Sequence, residues 1–254
     1  PHVMLMPETY REQWHSLRKA EPADTAGARR LATRIALSFL DHCLYGDQYE
    51  RDYMQLLCAM ATWDEAPEIA CTASSALFGV VVEGLCDEFE EHNAATYNRV
   101  MSQILTYCRS LPDWEWFDRR LADFGIETEH ELCQRADNLR GPAEGCEPVD
   151  DGLTRVVILS RVTVGADVAL TSVLVERFHR RFPRAEIVVA GPSCLAKLFN
   201  AHPQVRFRAL AYPRRGDVKE RLSCWDELLG ILASETVMTP PSACAVVDPD
   251  SRFS

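Results

Sequence analysis

A chain of 254 residues has room for about two domains of ordinary size, roughly 100–200 residues each. Its 47% hydrophobic and 26% charged residues, with no biased or repeated tract, exclude a disordered or fibrous protein. A formal charge of -11 argues against a surface that tracks nucleic-acid phosphates, so no nucleic-acid partner is expected.

The ten cysteines include no CxxC pair and fall mostly in apolar helical contexts, which reads as buried thiols and not as a disulfide or zinc framework. With no secretory signal at the start, a reducing cytoplasm is the expected compartment, with peripheral contact at the inner face of a membrane left open. The longest apolar run, Ala76 to Val82, is too short to span a bilayer, so no transmembrane segment is expected.

Residues 1–26 are polar, and only Tyr10, Trp14 and Leu17 hint at a short docking helix, so the opening reads as loosely ordered. An all-α unit is expected over 27–140. Leu31, Ile35, Phe39 and Cys43 recur at helical spacing until Gly46. Tyr53, Leu56, Leu57 and Met60 mark a second helix, and Pro67 opens a third, the apolar one, whose β-branched run through Val82 also suits a strand. Asn93 is positioned to cap a fourth helix carrying Tyr97, Val100, Met101, Ile104, Leu105 and Cys108. An aromatic fifth runs from Asp113 to Phe124 and stops at Gly125, and Thr128 with Glu131 forms a capping box for a sixth.

Residues 141–152 combine three glycines, two prolines and four acids, the composition of a linker. Beyond it the period changes. Arg155–Ser160 and Glu186–Ala190 are uninterrupted apolar runs of strand length, as in strands covered on both faces. A helix from Asp167 to Phe182 lies between them, ending in a cluster of Arg177, Arg180, Arg181 and Arg184 that suits either a solvated helix end or an anionic contact. A short helix at 193–200, a strand at 205–209, a helix at 218–232 and a strand at 243–247 continue the alternation, so 153–254 should form a parallel-sheet, Rossmann-like α/β domain.

In such sheets ligands lie beyond the carboxyl ends of the strands, which singles out the loop Ser160–Asp167 with its glycine, carboxylate and hydroxyls. Neither GxGxxG nor GxxxxGK[ST] is present, which weighs against a nucleotide site in this half. His179 and His202 lie outside these loops, lack metal-ligand spacing and read as surface residues.

The strand Val156–Leu159, then Arg161, Gly165-Ala166-Asp167-Val168 and Leu170–Leu174, then Arg181-Phe182-Pro183-Arg184-Ala185-Glu186-Ile187, resemble the N-terminal domain of glycosyltransferase family 9, the ADP-heptose:lipopolysaccharide heptosyltransferases among them. His202-Pro203-Gln204-Val205 and Ala245-Val246-Val247-Asp248 fall where that family has its third and fourth strands. The resemblance covers residues 155–254. It implies the acceptor-side half of a GT-B type enzyme, with Asp167 as general base on the acceptor hydroxyl and no metal or cofactor. One departure is Ala166, which separates a glycine and aspartate that the family usually joins.

Arg161, Thr163, Gly165, Thr171, Asp248, Asp250 and Arg252, in the same strand-end loops, are the candidate acceptor-binding residues, with Ser172 beside them. Asp167 equally suits a helix-start carboxylate that caps free N–H groups, and the hydroxyls equally suit backbone bonding. A family member would still need, after Ser254, the rest of this domain and a donor domain that binds most of the nucleotide sugar, so the resemblance implies a truncated piece, inactive alone, with a glycan or other acceptor as its ligand. The competing expectation is a non-enzymatic interaction module, in which the helical unit meets a protein partner through Trp114, Trp116 and Phe117 and the α/β half is scaffold.

Overall fold

A computed structural model describes residues 6–46, 48–87, 91–140, 152–160, 167–199, 202, 204–213, 215–237 and 239–249. The linker expected at 141–152 lies outside the described residues but for Gly152. The chain divides into two units, Pro1–Arg140 with Arg215–Lys219, and Gly141–Arg214 with Glu220–Ser254.

The first unit is helical. The opening segment, expected to be loosely ordered, instead contains α1 (Pro7–Leu17), which seats Tyr10 and Trp14 in the core; Trp14 meets Trp63 edge to face at 5.0 Å between ring centroids. Large aromatic area explains how so short a helix stays docked. Helix α2 (Thr25–Tyr45) begins where the Asp24 carboxylate accepts from the Gly27 amide at 2.7 Å, and buries the stripe of Leu31, Ile35, Phe39 and Cys43. Helix α3 (Arg51–Ala61) buries Tyr53, Leu56, Leu57 and Met60.

Helix α4 (Pro67–Ala76) passes without a break through a π-helical stretch, Leu77–Val82, into α5 (Glu83–Asp87). The β-branched run is thus helix, loosened into wider turns where valines crowd the preceding turn. Taken together, Pro67–Leu85 is 19 residues long with a mean hydropathy of 1.4, long and apolar enough by composition to cross a membrane. The helix is thus longer than the seven-residue apolar run within it. Half of it is buried inside the unit, where it packs on α2 and α3 as a bundle's central helix does.

Helix α6 (Glu91–Arg109) carries the expected apolar stripe, but Asn93 is inside the helix and buried, not its cap. Helix α7 (Glu115–Asp123) ends at Gly125, whose φ of 71° is the left-handed conformation glycine supplies at helix ends. At α8 (Glu129–Arg140) the capping box forms: the Glu131 carboxylate accepts from the amides of Glu127 and Thr128 at 2.7 and 2.8 Å, and the Glu131 amide donates to Thr128 Oγ1 at 3.2 Å. Those bonds hold the Glu131 carboxyl below its ordinary range.

The second unit is α/β. Strands β1 (Arg155–Leu159), β2 (Glu186–Gly191), β3 (Val205–Ala209) and β4 (Cys244–Val247) form one all-parallel sheet in the order β3-β2-β1-β4. Parallel neighbours require crossovers, and the helices α9 (Ser172–Arg181), α10 (Ala196–Phe199) and α11 (Val218–Thr236) lie on them. One face, with Val156, Ile158, Ile187 and Val189, packs on Val175 and Phe178 of α9; the other, with Val157, Leu159, Val188 and Ala190, packs on Leu228 and Ile231 of α11. Two-sided cover is why the central strands read as unbroken apolar runs.

Candidate functional site

The strand order fixes where a ligand can lie. From β1 the chain crosses to β2 on one side, and from β3 it returns across the sheet to β4 on the other, so the order reverses between β1 and β4. At such a reversal an open parallel sheet generally leaves a crevice beyond the carboxyl ends of its strands. The rim is tight on its β2 side. Ser160, fully buried, donates its amide to Ala190 O at 2.7 Å, and a Cβ on Gly191 would come within 2.7 Å of Ser160 Cβ.

Of the sequence-derived candidates, Arg161, Thr163, Gly165, Asp250 and Arg252 lie outside the described residues. Asp167 is the first residue of a π-helical turn, Asp167–Thr171, that leads into α9 on the β1 side of the crevice. Asp248 directly follows β4, half-buried, on the other side. Topology therefore brings the chain at Asp167 and Asp248 to the same end of the sheet.

Two hydroxyls are corrected. Thr171 has 0% exposure and so presents no surface to an acceptor. Ser172 donates its hydroxyl to Val168 O within the helix, the backbone-serving role of such side chains. The arginine cluster at the end of α9 is at the amino ends of the strands, because α9 runs back against them, and is thus remote from the crevice. There Arg180 pairs with Glu176 at 2.7 Å and Arg181 lies over the Phe182 ring at 5.0 Å.

The chain matches no family model, no curated protein and no solved structure.

The amino ends of the strands hold a polar site that reading the sequence missed. Glu235, near the end of α11, is 2% exposed and accepts from Arg206 through both oxygens and from Arg208 at 2.7 Å, while Arg155 donates to its backbone carbonyl at 2.7 Å. Glu186 joins the set through Arg155 at 2.6 Å and Arg206 at 2.8 Å. Hydrogen bonds from Arg206 hold both carboxyls below the ordinary range and raise the Arg206 pKa in turn. The signal was partly legible: Val205-Arg206-Phe207-Arg208 alternates at period two, an edge strand with a basic face. With every oxygen engaged, this set is a clamp between α11 and the sheet.

His179 and His202 also differ from expectation. Both are half-buried, and their rings meet edge to face at 5.0 Å. Among the described residues no group of three or more His, Cys, Asp or Glu could hold a metal ion. The eight cysteines whose side chains are described are all free; four are buried, and burial pushes the Cys58 thiol up to about 12, while Cys194 is exposed. Trp114 and Phe117 are buried and packed on one another in the helical core, with Trp116, half-buried, stacked on Trp114 at 6.1 Å.

Proposed function

We propose that the α/β unit is the acceptor-side half of a Rossmann-like, GT-B type glycosyltransferase similar to family 9, with Asp167 as the general base. The observation that carries this reading is the order β3-β2-β1-β4, with the helix of Asp167 starting after β1 and Asp248 following β4 across the point of reversal. The motif resemblance over residues 155–254 supports it. In the proposed reaction the Asp167 carboxylate takes the acceptor hydroxyl proton as that oxygen bonds to the sugar's anomeric carbon and the nucleoside diphosphate leaves with the bonding pair. A carboxylate contributes on the order of 10²–10⁴ in such a step. Arg161 would meet an acceptor phosphate, and Thr163, Gly165, Asp248, Asp250 and Arg252 would line the acceptor; the donor would be a nucleotide sugar bound mainly by a second domain.

Backbone-amide NMR of the chain titrated with a phosphorylated oligosaccharide tests this. Shifts at Asp167, Val168 and Asp248, with Arg155, Glu186 and Arg206 unmoved, are expected. Shifts confined to the amino ends of the strands, or none at millimolar ligand, overturn the acceptor-side reading.

A further inference from the structure

Independently of the sheet, the helical unit holds a groove of about 510 Å3 between α1 and α2, within the roughly 300–1,000 Å3 typical of small-molecule sites. Glu12, Gln13 and Leu17 line it from α1, and Arg30, Leu31 and Arg34 from α2. The three α2 residues fall at helical spacing, so they share one stripe.

Some arginines of this unit are matched, Arg11 to Asp52 at 2.9 Å, Arg51 to Glu129 through two bonds and Arg109 to Asp118 at 2.6 Å, whereas others, Arg29 and Arg99 among them, have no ion-pair partner among the described residues. Among the described residues neither Arg30 nor Arg34 has an ion-pair partner, although Glu12 lines the same groove. Like charges four residues apart on a helix repel, a cost that an anion between them would remove.

Arg34 is also held in place. Its guanidinium carbon is 5.5 Å from the ring centroid of Tyr10, which is fully buried and bonded through its hydroxyl to Ser38 Oγ at 2.9 Å. A planar fork fixed against an aromatic face is already ordered for a carboxylate or phosphate, so less freedom is lost on binding. Leu31, buried, and Leu17, half-buried, supply an apolar floor.

We infer that this groove binds a small molecule with an anionic head, a carboxylate or phosphate monoester, on an apolar body. The head accepts from Arg30 and Arg34 while the body lies on Leu17 and Leu31. Glu12 reduces the positive potential and so weakens anion binding.

The test is calorimetric titration of the whole chain at low salt with octanoate, octyl phosphate and the neutral octanamide. Both anions are expected to bind and octanamide not to; the stronger of the two identifies the head group. Arg30→Ala, at an exposed position, and Arg34→Lys, which keeps charge but loses the fork, should each weaken anion binding about tenfold. Glu12→Gln should tighten it severalfold. Octanamide binding as well as octanoate, no heat from either anion at millimolar concentration, or Arg30→Ala with unchanged affinity and an intact circular dichroism spectrum overturns the proposal.

Discussion

Glu235 is a carboxylate taken almost wholly out of water and surrounded by three guanidinium groups. Removing it leaves arginines pressed against the sheet without a counter-charge. For Glu235→Ala the expected loss is about 2–3 kcal/mol, below the roughly 3–5 of a fully buried pair because Arg206 and Arg208 reach solvent. The pH dependence has a definite sign. Glu235 and Glu186 are more acidic folded than unfolded, so their contribution is complete above the ordinary glutamate value of about 4.3 and is lost as the pH falls through the lowered folded values. Chemical denaturation at pH 7 and at pH 3 checks both points: the wild type should lose more stability between them than Glu235→Gln, and equal losses would contradict the clamp. The residue's role was not legible in the sequence, since its partners are 27 to 80 positions away and only the tertiary register unites them. Arg206 and Arg208 announced a basic strand face but not what covers it. Thr171 shows the converse: a hydroxyl near a helix start reads as available until the turn that carries it is seen to bury it.

Among the elements, the apolar runs and their spacing carried nearly all the legible information. The central strands β1 and β2 lie where the unbroken apolar runs place them, β3 and β4 coincide with the strands expected at 205–209 and 243–247, and the capping box of α8 forms from the two residues that signal it. Less legible was the long helix from Pro67, where composition alone suits strand, buried helix or membrane span, because periodicity vanishes when every face is apolar. Two glycines test these elements with opposite signs. A side chain at Gly79, in the π-helical stretch, would meet no other atom within 4 Å, so Gly79→Ala should stabilise by about 0.5–1 kcal/mol through helix propensity. At Gly191 a Cβ would meet Ser160 Cβ at 2.7 Å, so Gly191→Ala should cost about 1–3 kcal/mol by forcing the ends of β1 and β2 apart. Thermal unfolding of the pair decides it; a stabilising Gly191→Ala would contradict the tight rim of the crevice.

For the whole molecule, the chain divides into a helical unit and an α/β unit, with the opening helix in the former. The parallel sheet reverses its order between β1 and β4, and the proposed chemistry lies at the carboxyl ends of those strands with Asp167. Charge organises the other end of the sheet: among the described residues Arg155, Arg206 and Arg208 are engaged in the clamp, and Arg180 and Arg181 end α9, all at the amino ends of the strands. The most direct test is a transfer assay on the full-length gene product, with nucleotide sugars as donors and phosphorylated glycans as acceptors, comparing wild type with Asp167→Asn. The account predicts sugar transfer by the wild type and a kcat lower by about 10²–10⁴ in the variant, with acceptor affinity within twofold. No transfer by the wild type, or an undiminished kcat in Asp167→Asn, would contradict it.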